Sequence, residues 1–365
     1  MKEYHLLLVF LTAFSVVLLA MPALIKVAKL KHLVDEPSEE RKVHTRSVPT
    51  IGGIMIFSGF MFSCLLWFPD HDVTAVSELE QFNYLMATLI LLFFVGVKDD
   101  IIGMSPVKKL LAHLMVGFIL VVMGDIRITS FHGLLGMDIQ LPAYGSYLIS
   151  IFVYIVVVNA INLVDGVDGL ASGVGLIASI AFGLWFAYSG DKHWALVSFS
   201  MSGALLGFLV FNFNPARIFM GDSGSLIIGA VLSVLAIKLI ETPTDFLEVK
   251  FDGIFQNIST PVLAMTILAY PLLDTLRVFS IRTAKGKSPL SADRNHLHHK
   301  MLDKNPRHKV TVIIIYLFTI IMILQAVLLG FPNPNLSLIS SIVVAIIFVL
   351  YVFYIHPKKV SSKDA

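Results

Sequence analysis

The chain has 365 residues, 56% of them apolar and only 14% charged, with a formal net charge of +2. Soluble domains carry roughly 25% charged residues, so this composition argues against a water-soluble fold. The small charge, spread over several loops, offers no basic stripe for nucleic acid. Cys64 stands alone, which excludes an internal disulfide and any multi-cysteine metal site.

A hydrocarbon core about 30 Å thick needs roughly 20 apolar residues per helix, with backbone polar groups satisfied inside the segment. In chain order, about eleven runs approach that need, near 5–24, 50–68, 84–98, 109–124, 144–161, 171–189, 194–213, 222–240, 262–281, 311–330 and 336–355. The first is read as a retained span rather than a secretory signal. It is long, its leading charge is Lys2 beside Glu3, and Lys26, Lys29 and Lys31 follow it. The expected fold is therefore all-α: a polytopic integral membrane protein, one transmembrane domain over residues 1–365.

Assigning successive connections to alternate sides leaves Lys2, Arg127, Lys192, Lys238 and Lys250 on one side and the rest of the 27 Lys and Arg on the other. The basic side is expected in the cytoplasm. This puts the N-terminus outside and the C-terminus, with Lys358, Lys359 and Lys363, inside. Cytoplasmic loops then fall near 25–49, 98–108, 162–170, 214–222 and 282–310.

Those loops carry the acidic motifs. Asp99 and Asp100 end the third run, and Asp165 and Asp168 sit in Asn159-Ala-Ile-Asn162-Leu-Val-Asp165-Gly-Val-Asp168-Gly169 after the fifth. Asp222 lies in Phe219-Met-Gly-Asp222-Ser-Gly-Ser225 after the seventh, and Asp293 in the basic loop after the ninth. A single Asp at a helix end is commonly a cap. Four acidic elements on one face are not explained that way.

Carboxylates gathered at a membrane boundary raise each other's pKa unless a cation relieves them. Mg²⁺, or Mn²⁺ in its place, takes hard oxygen ligands, commonly one or two carboxylates with substrate phosphates. Asn162 and Asp222 suit such a site. Asn162, Asp165 and Asp168 are spaced by three and would share a face if the fifth helix reached them, although Gly166 and Gly169 favour an end there. Gly221 and Gly224 bracket Asp222 at a helix start, a natural anion site.

The last large loop places Lys285, Lys287, Arg294, Lys300 and Lys304 around Asp293-Arg294-Asn295-His296-Leu297-His298-His299. Guanidinium and imidazole groups donate to phosphate oxygens, which suits a diphosphate clamp. Three histidines so close, with no cysteine or distant ligand pair, make a poor zinc site. Pro271, in Pro271-Leu-Leu-Asp274, is expected to kink the ninth span, and Asp274 reads as a structural cap.

Together these motifs resemble the polyprenyl-phosphate N-acetylhexosamine-1-phosphate transferase family. The resemblance also takes in Arg41-Lys-Val-His44 and Val48-Pro-Thr-Ile-Gly-Gly53, and it is strongest from Arg41 to His299. The Asp-Arg-x-His-x-His-His loop is similar to that of the bacterial undecaprenyl-phosphate N-acetylglucosamine-1-phosphate transferases. The branch acting on UDP-muramoyl-pentapeptide, with its Pro-x-His-His-His form, ranks second.

The resemblance implies a reaction at the cytoplasmic face of the bacterial inner membrane. UDP-N-acetylglucosamine and undecaprenyl phosphate give undecaprenyl-diphospho-N-acetylglucosamine and UMP, the lipid-linked first step of a cell-surface polysaccharide. It implies Mg²⁺ at Asn162 and Asp222, and Asp99 and Asp100 as the acidic catalytic pair. That pair either handles the proton of the lipid phosphate or forms a covalent intermediate. Asp165 and Asp168 would shape the nucleotide-sugar pocket, and Arg294, His296, His298 and His299 would close over it. Lys109, with Lys108 as the alternative, and Arg46 would contact phosphate. Lipid-facing apolar surfaces permit a homodimer. A transporter is the competing class, and carboxylates near the bilayer midplane would mark it.

Overall fold

The computed structural model describes residues 4–35, 48–68, 76–244, 247, 257–286, 295–304 and 307–354. Each of the eleven apolar runs falls largely on helix within this range. In chain order the helices are α1 (Tyr4–Leu30), α2 (Gly53–Trp67), α3 (Val76–Ile102), α4 (Pro106–Phe118), α5 (Ala143–Val164), α6 (Leu170–Ser189) and α7 (Lys192–Asn212). They continue with α8 (Asp222–Ile240), α9 (Thr260–Ile267), α10 (Ala269–Ala284), α11 (Leu297–Lys304), α12 (His308–Leu328) and α13 (Pro334–Tyr354). A π-helical stretch, Ile119–Met123, prolongs α4. Two short strands, β1 (Val34–Asp35) and β2 (Val48–Pro49), pair antiparallel.

Among the described residues, eight helices are long and apolar enough to cross a membrane, or nine if the bent pair α9–α10 is one span. The expectation of eleven differs at two elements. α2 has 15 residues, a length of roughly 22 Å. α3 has 27, far more than its apolar run, because the polar stretch from Glu78 to Asn83 stays helical. The bend between α9 and α10 is 78°. Pro271, in the first turn of α10, has no N–H to give the carbonyl of Ile267, so the expected break falls beside it.

α8 is the axis of the bundle. It is apolar on every side, as a wholly enclosed helix must be, and it packs against α2, α3, α5, α6, α7 and α9. Helices in lipid gain little from apolar burial against one another and associate where small residues let backbones meet. Here a Cβ on Gly53 would lie 2.1 Å from the Gly224 nitrogen, and one on Gly96 would lie 2.5 Å from the Ser223 Cα. On the other side of α8, Gly229 abuts the Val158 backbone of α5.

The same crossings fix helix direction. Asp99 at the end of α3, Lys109 at the start of α4, Asn162 at the end of α5 and Asp222 at the start of α8 meet at one end of the bundle. At the other end, Lys238 donates to Gln81 at 3.1 Å and the Thr129 amide donates to Glu241 at 2.8 Å. Arg127, Lys192 and Lys238, three of the five basic residues set apart by the sequence, lie at this second end.

Candidate active site

The acidic end is built on two backbone junctions. Segment 48–53 runs alongside 219–220: the Phe219 amide donates to the Pro49 carbonyl at 2.7 Å, and the Gly52 and Gly53 amides donate to Phe219 and Met220 at 3.0 and 2.8 Å. Gly221 then turns the chain into α8 with φ 72°, a region costly for other residues. A Cβ there would lie 2.2 Å from the Thr50 carbonyl oxygen and 2.6 Å from an Asp100 oxygen. Two motifs far apart in the chain are thus one structural unit.

Because Gly221 has no side chain, the first turn of α8 lacks a local cap. Asp100 supplies it from α3, accepting the Asp222 amide at 2.7 Å and the Ser223 amide at 3.1 Å. A carboxylate on exposed helix N–H groups satisfies both the donors and the dipole. One residue earlier, Asp99 accepts from Lys109 Nζ at 2.6 Å, and the same ammonium pairs with Asp222. Asn162, in the last turn of α5, donates its amide to Asp222 Oδ1 and to Ser225 Oγ, each at 2.8 Å. Lys109, not the exposed Lys108, reaches the cluster.

Asp165 and Asp168 are separated by the fold. α5 ends at Val164, so the shared helical face expected for Asn162, Asp165 and Asp168 does not form. Asp165 lies half-buried beside the cluster. Burial first, then the charges of Asp222 and Asp100, push its carboxyl up to about 8, against a hydrogen bond from the Gly221 backbone. Asp168 instead accepts from Asn214 Nδ2 at 2.9 Å and the Ala216 amide at 3.0 Å, tying its turn to the segment after α7.

The histidines form a second group. Asp274 on α10 is fully buried. It accepts from His296 Nδ1 at 2.8 Å and from the Leu297 amide at 2.6 Å, with His298 Nδ1 at 3.7 Å. The Tyr270 hydroxyl lies 3.3 Å from His298 Nδ1. Burial pushes His298 down to about 3, so it is neutral. A Cβ on Gly166 would sit 3.4 Å from His298 Nε2, which places this loop against the Asp165–Asp168 turn. His299 packs on His298 with ring centroids 4.4 Å apart.

Asp274, His296 and His298 have ligand atoms within 4.8 Å of one another. The structure thus brings in the distant carboxylate that the sequence left out. Arg46 and Arg294 lie outside the described residues. Sequence reasoning missed Ser225 and Tyr270 and read Asp274 as a cap. The signals available for the last two were their spacing of four on one helical stretch and the apolar surroundings of both.

Among the described residues, the carboxylates of Asp99, Asp100, Asp165 and Asp222 gather around one ammonium, that of Lys109. A hard divalent cation fits such a set, with Asp222 and the amide oxygen of Asn162 as its natural ligands after an amide flip. These groups sit at helix ends, at one end of the bundle.

A helical membrane protein with an acidic site at the helix ends is the class so defined. The model of glycosyl transferase family 4 matches residues 82–240. A decaprenyl-phosphate N-acetylglucosaminephosphotransferase of Mycolicibacterium smegmatis is 32% identical over 327 residues, covering 85% of this chain and 80% of that one. A probable undecaprenyl-phosphate N-acetylglucosaminyl 1-phosphate transferase of Bacillus subtilis is 29% identical, covering 96% and 91%. The undecaprenyl-phosphate alpha-N-acetylglucosaminyl 1-phosphate transferase of Escherichia coli K12 is 32% identical, covering 76% and 71%. The chain belongs to glycosyl transferase family 4.

Proposed function

We propose that this protein transfers N-acetylglucosamine 1-phosphate from UDP-N-acetylglucosamine to undecaprenyl phosphate, releasing UMP, at the cytoplasmic face of a bacterial inner membrane. The observation that carries this reading is the meeting of Asp99, Lys109, Asn162 and Asp222 from four helices. The named relatives use undecaprenyl or decaprenyl phosphate, and either lipid presents the same phosphate to the site. One diphosphate linkage is exchanged for another, so the protein's task is alignment and charge neutralisation rather than energy supply.

In this reading Asp222 and Asn162 hold Mg²⁺, which supplies neutralisation of the nucleotide diphosphate. Lys109 leaves its carboxylate partners to meet a phosphate oxygen. Asp99 orients the acceptor phosphate or takes its proton, while Asp100, which holds the first amides of α8, keeps Asp222 in place. Asp165 and the His296–His299 loop line the nucleotide-sugar side, and Arg46 and Arg294 add phosphate contacts. The bend at α9–α10 gives the prenyl chain a way in from lipid. All eleven helical runs cross the membrane, α2 with the help of its neighbours, in a single domain with the N-terminus outside.

Purified protein with Mg²⁺, UDP-N-acetylglucosamine and undecaprenyl phosphate should release UMP. Asp222→Ala and Asp99→Ala should each cut the rate by on the order of 10³-fold. Folded wild-type protein that releases no UMP with any UDP-N-acetylhexosamine defeats the reading.

A further inference from the structure

Behind the histidines stand two residues of α10. Tyr270 and Asp274 lie one turn apart across the start of α10, both buried to 0% exposure, and each addresses one imidazole. The two rings stack nearly parallel, 17° apart with centroids at 5.3 Å, and both turn Nδ1 toward α10.

The hydrogen-bond inventory sets the tautomer of His296. A carboxylate only accepts, so His296 holds a proton on Nδ1 at 2.8 Å from Asp274. The second Asp274 oxygen is occupied by the Leu297 amide. For His298 the carboxylate is at 3.7 Å, beyond hydrogen-bond reach. The Tyr270 hydroxyl is the partner of His298 Nδ1, at 3.3 Å. His296 therefore keeps Nε2 as the nitrogen left for a ligand, while His298 Nε2 lies against the Gly166 turn.

We propose that Asp274 is a positioning residue that holds His296 in its Nδ1–H tautomer and aims its Nε2 at the nucleotide sugar. His298 fastens the loop to the acidic turn, and His296 engages the substrate. A buried carboxylate behind an imidazole fixes its orientation and tautomer. The substrate half of this inference rests on the reaction proposed above; the tautomer half does not.

The test pairs nitrogen-15 NMR of histidine-labelled protein in detergent with steady-state kinetics. In wild type one imidazole, assigned by its loss in His296→Gln, should be protonated on Nδ1. In Asp274→Asn the new amide donates to that nitrogen, so the proton should move to Nε2. Oδ1 of the new Asn still accepts the Leu297 amide, so the melting temperature should hold. The KM for UDP-N-acetylglucosamine should rise about tenfold or more, with the KM for the lipid and the Mg²⁺ dependence unchanged. On a His296→Gln background Asp274→Asn should add nothing.

An unmoved proton, a wild-type KM, or an equal further loss on the Gln background overturns the proposal. Should Asp274→Asn not fold, His296→Gln alone must reproduce the KM rise, and a wild-type KM there overturns it as well. Wild-type protein without UMP release defeats the reaction while the tautomer result still stands or falls on its own.

Discussion

Asp165 shows how far a single carboxyl in this site departs from water. It is an acid whose folded-state value, about 8, is raised above the ordinary 3.8. Between those values the unfolded chain has lost the proton and the folded chain has kept it, so unfolding is favoured progressively as pH rises through the window. In metal-free protein, Asp165→Asn should therefore melt higher than wild type by a margin that widens from pH 5 to 8 and then levels. Saturating Mg²⁺ should shrink the margin, because the cation relieves the neighbouring charges. Melting curves in detergent with EDTA or Mg²⁺ read this directly, and a margin that does not change with pH would contradict it.

At the same scale, sequence and structure part in instructive ways. Asp99, Asp222 and Asn162 are legible because residue type and helix-end position suffice to place them. Asp100 is legible as an acid, but not as the cap of a helix far along the chain, since capping across elements depends on the α3–α8 crossing. Asp168 looks equivalent to Asp165 in sequence. Where α5 stops decides that one faces the cluster and the other faces Asn214, and helix ends are the least certain feature of a sequence reading.

Elements place the site by touching at glycines. Gly96 lies three and four residues before Asp99 and Asp100, hence on the same face of α3, and any side chain there meets Ser223 at the start of α8. Gly96→Ala should push the two helices apart, costing about 1–3 kcal/mol of stability and lowering UMP release at least tenfold. Gly145→Ala, whose Cβ would meet only Pro142 at 3.4 Å, is the matched control. Equal melting temperatures and equal rates for the two variants would remove the argument that this crossing aligns the carboxylates. The long helices followed from apolar run length alone, whereas α11, polar and inside the expected 282–310 loop, did not. The crossings did not either, because a glycine in an apolar run carries no label for its partner.

For the whole molecule, the alternation of helix direction puts Ile102 at the acidic end and Ile139 at the opposite one, 72% and 66% exposed. Cys64 is buried and the chain has no other cysteine, so single-cysteine labelling has a quiet background. In intact cells a membrane-impermeant maleimide should label Ile139→Cys and spare Ile102→Cys until the membrane is opened. The reverse pattern would invert the sidedness drawn from the basic loops.

Direct binding of a divalent cation is the most immediate check on the acidic cluster. Electron paramagnetic resonance of Mn²⁺ titrated into purified protein with UMP should show one tight site per chain, competed by Mg²⁺. Asp222→Asn should lose that site, and Asp274→Asn should keep it. A Mn²⁺ signal unchanged by Asp222→Asn would mean that the carboxylates of α3 and α8 converge for some purpose other than holding a metal ion between two phosphates.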